Sequence, residues 1–152
     1  MFSELILDAS VLVKWFKRGE DYEEEALQLF DDVLAGRIAV ACSEWALLEI
    51  FRGLRKAGFP SAKISESHDV LKELVELDYL ELVPVSEVLD HARKLIINLN
   101  LYASDAVHLA TALKRERNLV SEDRHLLRSD VIQYAQEHRV KVFRLIDIKT
   151  MD

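Results

Sequence analysis

Short apolar runs alternate with longer segments of helical periodicity along the chain. The runs are bounded by polar or turn-forming residues, a pattern typical of strands buried in a sheet. We predict strands at ELILD (4–8), RIAVAC (37–42), LELVPV (80–85), NLVS (118–121) and VKVFRLI (140–146). Pro84 places the third run at a sheet edge or a strand end, because proline cannot donate to a strand ladder.

The segments between these runs carry apolar residues on one helical face. Helices are predicted at 22–35, 44–57, 61–77, 86–98 and 104–117, with further helical turns in 8–16 and 123–138. Ser10, Ser43 and Ser104 stand where N-terminal caps are needed. Gly36 is expected to close the helix that precedes it.

Strands that alternate with helices predict an α/β fold. We expect an α/β/α sandwich with a central, mostly parallel sheet of four to five strands and helices on both faces. The 152 residues fit a single domain, 1–152, and the four glycines and two prolines leave little room for a linker.

Composition bears on nucleic-acid binding, on the redox compartment and on membrane association. The net charge of −7 argues against a broad basic surface for nucleic acid. One cysteine, Cys42, cannot form an internal disulfide and fits a reducing cytoplasm, where we expect it to pack as a small apolar residue. No stretch has the length of a membrane span, and Asp8 interrupts the N-terminal apolar run, which makes it a poor signal peptide.

Four acidic residues lie within apolar or small-residue stretches: Asp8, Glu49, Asp105 and Asp123. Asp8 ends the first strand, Asp123 follows the fourth, Glu49 lies in the helix after the second, and Asp105 opens a helix. The carboxyl ends of parallel strands share one sheet edge, so these side chains are expected to converge there. Burying carboxylates together is costly, and a divalent metal would explain several at once.

Each acid also has an ordinary interpretation. Asp8 and Asp123 could cap the helices that follow them, and Asp105 could favour the positive end of its helix. Glu49 could be an exposed helix residue, although its neighbours on the same helix face, Ala46 and Gly53, are small. Glu44, nearer the start of the same helix, is given a capping role.

The donor set favours Mg²⁺ or Mn²⁺, which prefer carboxylate and water oxygens. The five histidines, at positions 68, 91, 108, 125 and 138, show no tight spacing for zinc. His108 and His125 lie near the acidic motifs, and a structural role is expected for both.

The chain resembles the PIN-domain family, most closely the small prokaryotic VapC-type toxins. The matching stretches are ILDASVLVKWF, SEWALLEI, YASDAVHLATAL and LVSEDRHLL, in the right order and across essentially the whole chain. The family's acidic set falls on Asp8, Glu49, Asp105 and Asp123. Its two hydroxyl positions fall on Ser10 and Ser121, the second of which is often threonine in the family.

The resemblance implies a metal-dependent endoribonuclease that hydrolyses RNA phosphodiester bonds, the toxin of a type II toxin–antitoxin pair. The acids would hold Mg²⁺ or Mn²⁺, with Glu49 completing the shell or orienting water. Ser10 and Ser121 would fix carboxylate rotamers, and Lys14 or Arg52 would contact phosphate. The implied partners are RNA, an antitoxin protein and a second copy of the chain, in the cytoplasm and without a membrane.

Other functions remain open. A degenerate PIN-like module could bind RNA or protein without cleavage, and an RNA-processing nuclease would need no antitoxin. A dehalogenase-like phosphatase is poorly supported, because Ser10 replaces its second aspartate. A receiver domain would need an early acidic pair that is absent. Trp15, Phe16 and Trp45 could serve partner contacts, although core packing is expected for each.

Overall fold

The structure is a computed structural model that describes residues 3–150, with side chains described for 3–148. These residues form five strands and seven α-helices. The strands are β1 (Ser3–Leu7), β2 (Ile38–Ser43), β3 (Leu80–Val83), β4 (Asn118–Val120) and β5 (Val142–Phe143). The helices are α1 (Ala9–Leu12), α2 (Glu23–Leu34), α3 (Trp45–Lys56), α4 (Ser61–Glu76), α5 (Leu89–Leu99), α6 (Ala103–Arg115) and α7 (Ser129–Glu137). Short 3-10 turns occupy Val13–Trp15, Val85–Glu87 and Leu145–Thr150.

The strands form one sheet in the order β3-β2-β1-β4-β5, and every neighbouring pair is parallel. β1 is central: Leu5 aligns with Val40 of β2, and Ile6 aligns with Leu119 of β4. After β3 the chain crosses to the other side of β1, so the order reverses between β1 and β4. Ligands bind parallel sheets at such a switch point, outside the carboxyl ends of the strands.

Two apolar cores cover the two faces of the sheet, because successive strand side chains point in opposite directions. Leu5 and Leu7 pack with residues of α1 to α4 on one face. Ile6 packs with residues of α5, α6 and α7 on the other. The predicted α/β/α layering is therefore confirmed.

Cys42 is fully buried in the first core, as expected of a small apolar residue. Burial raises the pKa of its thiol to about 12, so no thiolate forms near neutral pH. Among the described residues, no helix is long and apolar enough to cross a membrane.

The C-terminal segment differs from the prediction. The run VKVFRLI was expected to be one strand, but β5 covers only Val142–Phe143. The backbone N–H of Arg144 donates to the Asp147 carboxylate, and that of Leu145 donates to Glu122. Side chains therefore take the donors that a longer ladder would need, and the chain turns into a 3-10 helix.

The predicted caps were also partly wrong. Asp8, rather than Ser10, caps α1, and Tyr102 precedes α6 while Ser104 lies inside it. Glu44 does not cap α3, because its carboxylate accepts the backbone N–H of Val85 at 2.9 Å and joins α3 to the end of β3.

Candidate active site

Asp8 is held by three donors at the end of β1. Its Oδ1 accepts the Ser10 hydroxyl at 2.6 Å and the Val11 backbone N–H at 3.3 Å. Its Oδ2 accepts the Ser121 hydroxyl at 2.5 Å. The residue is only 2% exposed, so these bonds fix the carboxylate inside the protein.

The same two hydroxyls join Asp8 to the loop after β4. Ser10 Oγ accepts the backbone N–H of Glu122 at 2.9 Å, and Ser121 Oγ accepts that of Asp123 at 3.0 Å. Each serine thus donates to the carboxylate and accepts from the loop, which uses its hydroxyl in both directions. This arrangement brings the segments carrying Asp8 and Asp123, 115 positions apart (123 minus 8), to the same place.

Asp105 lies in the first turn of α6 and is 6% exposed. Burial raises the pKa of its carboxyl to about 6, and the charges of Asp123 and Asp8 add to the rise, while His108 and His125 oppose it. Three aspartates from β1, α6 and the loop after β4 are therefore close enough to act on one another.

The pKa of Asp8 is also raised, first by burial and then by the charge of Asp123, although His108 and the two serine hydroxyls lower it. Both raised pKa values have the same physical cause. Ionised carboxylates have been brought together out of water without enough positive charge to balance them.

Asp123 is half-buried, and its Oδ1 accepts the backbone N–H of His125 at 2.7 Å. The ordinary interpretation, in which Asp123 stabilises the turn that follows it, thus holds alongside its position in the acidic group.

Glu49 reaches the site from α3 and pairs with a histidine that we had expected to be structural. Its Oε1 lies 2.5 Å from Nε2 of His108 on α6. His108 is 2% exposed, whereas about a third of the Glu49 side chain is exposed. Burial lowers the pKa of the His108 imidazole, but the hydrogen bond to Glu49 and the charge of Asp8 outweigh it, and the net shift is upward.

His108 is the residue of this site that the sequence analysis missed. Its other ring nitrogen, Nδ1, is buried without a hydrogen-bond partner among the described residues. The available signal was its spacing: His108 follows Asp105 by three positions on a helix, which places both on one face.

The two candidate phosphate contacts differ. Lys14 is buried, and its ammonium donates to the backbone carbonyl of Asp21 at 2.9 Å, a contact that anchors a loop. Arg52 is exposed on α3, three residues after Glu49, with no hydrogen bond or ion pair to any described side chain. Of these two cations, Arg52 is the one whose charge is available to a ligand.

The aromatic residues near these motifs differ in exposure. Trp15 is buried and donates its indole N–H to the carbonyl of Ala26 at 3.0 Å, and Phe16 packs against the same core. Trp45, at the start of α3, is exposed. Core packing is therefore observed for Trp15 and Phe16, and Trp45 alone lies free at the surface.

The donor chemistry of the site fits a hard divalent cation, because the converging side chains offer carboxylate oxygens and lack balancing positive charge. However, no group of three His, Cys, Asp or Glu side chains within residues 3–148 is placed to hold a metal ion. Part of the reason is visible: Glu49 is turned onto His108, and both Asp8 oxygens accept serine hydroxyls. Holding a cation would require carboxylate rotations.

Solved structures of similar fold come from microbial proteins. PAE2754 from Pyrobaculum aerophilum is 17% identical, with 97% of this chain and 93% of that chain covered at a TM-score of 0.61. VapC20 of Mycobacterium tuberculosis, a Sarcin-Ricin loop cleaving toxin, is 17% identical, with 76% and 86% covered at 0.59. VapBC2 from Rickettsia felis, solved with a DNA fragment from their promoter, is 17% identical, with 93% and 98% covered at 0.59.

At this identity the likeness shows a shared fold. No curated protein matches the sequence. The family comparison is decisive, because the PIN domain matches residues 5–132, which is most of the chain. That span begins within β1, ends within α7 and includes all four acids. The protein therefore belongs to the PIN-domain family.

Proposed function

We propose that this protein is a divalent-metal-dependent endoribonuclease in which residues 1–152 form one domain, acting as the toxin of a type II toxin–antitoxin pair. One observation carries the proposal. Asp8, Asp105 and Asp123 come together at the carboxyl ends of β1 and β4, where burial and mutual repulsion raise the pKa of the first two. A site built in this way is stabilised by a cation.

The catalytic roles follow from the geometry. Asp8, Asp105 and Asp123 would hold Mg²⁺ or Mn²⁺, which when bound lowers the pKa of a coordinated water and neutralises phosphate charge. Ser10 and Ser121 keep the Asp8 carboxylate in one orientation. Glu49 would orient the attacking water.

Arg52 is the side chain best placed to contact a substrate phosphate, because its charge is exposed three residues after Glu49 on the same helix. The contact of Lys14 with a loop carbonyl gives it no support for that role.

The toxin assignment draws on the structural neighbours. One is a Sarcin-Ricin loop cleaving toxin, and another is VapBC2, which was solved bound to a DNA fragment from their promoter. By analogy this chain would act on RNA in the cytoplasm, pair with an antitoxin that covers its acidic groove, and form a homodimer. An RNA-processing nuclease without an antitoxin would have the same site.

The second candidate is a PIN-like module that binds RNA or protein without cleavage. It is favoured by one feature, the closed Glu49–His108 pair, since no three ligating side chains among residues 3–148 stand ready for a metal. Catalysis therefore requires that the acids rearrange when the cation arrives.

An RNA cleavage assay with Mn²⁺ or Mg²⁺ separates the two candidates. The double change Asp8→Asn and Asp105→Asn keeps side-chain size but removes two negative charges, so cleavage should fall below detection. Asp69→Asn is the matched control, because Asp69 is an exposed acid of α4 whose one ion pair among the described residues is with His68 at 3.8 Å. Cleavage that survives the double change would reject the proposed site, and metal binding without cleavage would favour the module.

A further inference from the structure

An exposed aromatic ring stands beside the acidic group. Tyr102 directly precedes α6, three residues before Asp105, and is 67% exposed. Its ring centroid lies 5.0 Å from that of His125, with the two planes at 78°. One edge of the tyrosine is therefore supported by the imidazole, while most of the ring faces solvent.

His125 places this pair at the entrance of the site. Its backbone N–H donates to Asp123 Oδ1 at 2.7 Å, and its imidazole is close enough to act on the Asp105 carboxylate. Because Tyr102 packs on the same imidazole, its ring lies only one side chain away from both acids.

A free cation is the sequence neighbour of His125. Arg124, between Asp123 and His125, is exposed and makes no hydrogen bond or ion pair with any described residue. Arg128, four positions later, is occupied by the Leu99 carbonyl and the Asp130 carboxylate. Arg124 therefore has an unpaired charge that is available to an anion, on the residue next to Asp123.

We propose that Tyr102, His125 and Arg124 form a binding subsite for one unpaired nucleotide next to the scissile phosphate. The inference rests on the proposed function for its ligand, RNA. Tyr102 stacks on the base, His125 supports the ring, and Arg124 contacts the neighbouring phosphate. A base in a duplex is already stacked and cannot present its face to the tyrosine, so the subsite selects single-stranded RNA.

The test measures binding of a short unstructured RNA with 2-aminopurine at successive positions, because this base loses fluorescence on stacking. All proteins carry Asp8→Asn to prevent cleavage. Tyr102→Ala should weaken binding about 5- to 100-fold and abolish the quenching, whereas Tyr102→Phe should keep both. Arg124→Gln should reduce the salt dependence of binding by a slope of about 0.7, the value of one phosphate contact on a single strand.

Ile97→Ala is the matched control, because Ile97 is 68% exposed on α5 and lies in none of the groups above. It should bind like the parent. Equal affinity of the parent and Tyr102→Ala for RNA would overturn the subsite. The exposed ring of Tyr102 would then be assigned to contact with a protein partner. Equal affinity of the parent for single-stranded and duplex RNA would overturn it as well.

Cleavage by the protein with native Asp8 separates failure of the subsite from failure of the function. If the protein cleaves RNA and Tyr102→Ala has an unchanged KM, the subsite is wrong and the nuclease stands. If the protein neither binds nor cleaves RNA, both proposals fail.

Discussion

Buried carboxylates at one end of the sheet dominate the chemistry of individual residues in this protein. Asp8 has three hydrogen-bond donors and still has a raised pKa, because burial and the charge of Asp123 outweigh them. Asp105 has a pKa of about 6 for the same reasons. The unbalanced charge is therefore a property of the group, and a cation relieves all its members at once.

The raised pKa of Asp105 predicts how stability depends on pH. Near the ordinary value of 3.8 the unfolded chain loses this proton, while the folded chain keeps it up to about pH 6. The group therefore makes stability fall as pH rises from about 4 to 6, and the cost persists at higher pH. Asp105→Asn removes that cost, which is about 3 kcal/mol, so it should raise the melting temperature above pH 7 by about 6–12 °C and change it less near pH 4.

Calorimetry in metal-free buffer at both pH values would check this prediction. Asp69→Asn, at an exposed position, should show no such difference. A lower melting temperature for Asp105→Asn above pH 7 would mean that the ionised carboxylate stabilises the fold, contrary to the assignment.

At the level of elements, α3 and α6 meet across the site through one polar contact, between Glu49 and His108. The carboxylate is partly exposed and the imidazole is buried, so the histidine sets where the glutamate points. Under the proposed function His108 is a positioning residue, since it would act on the reaction through Glu49.

Changing His108 tests that role. Glutamine can still donate a hydrogen bond to Glu49, whereas leucine cannot, so His108→Leu should lower kcat about 10- to 100-fold and His108→Gln should retain most of it. Thr111→Val is the control, because Thr111 is buried on the same helix and its hydroxyl bonds only to the Val107 carbonyl of α6. Equal kcat losses for leucine and glutamine, measured in steady-state cleavage at fixed Mn²⁺, would contradict the positioning role.

The elements also show what the sequence could and could not predict. The apolar patterns were enough to predict where the five strands fall along the chain and that helices cover both faces of the sheet, because burial leaves strong patterns in a sequence. The ends of elements were less predictable. β5 stops at Phe143 because Glu122 and Asp147, distant or local side chains, take the next backbone donors. Nothing in VKVFRLI itself encodes those partners.

The site shows a similar division. The four acids could be picked out because each interrupts an apolar stretch, which is unusual enough to be seen in one sequence. The Glu49–His108 contact could not, because it joins residues 59 apart whose meeting depends on how two helices pack. Lys14 had looked available for phosphate, and the loop carbonyl that binds it was invisible in the sequence.

On the scale of the whole molecule, two arginines form ion pairs away from the acidic site. Arg117 binds Glu4 and Glu81, and Arg115 binds Glu81 and Glu87. Glu4 and Glu81 lie near the starts of β1 and β3, and Arg117 directly precedes β4. They lie away from the carboxyl ends where the aspartates gather. The net charge of −7 means that acidic side chains outnumber basic ones across the chain.

If the separated carboxylates form one cation-binding site, titration calorimetry with Mn²⁺ in metal-free buffer should detect it. We expect saturable binding to the native protein, lost in Asp8→Asn and in Asp105→Asn and kept in Asp69→Asn. Binding should also release protons, because Asp105 is partly protonated near pH 6. Absence of Mn²⁺ binding at millimolar concentration, or equal binding by the native protein and Asp8→Asn, would contradict a shared cation-binding site.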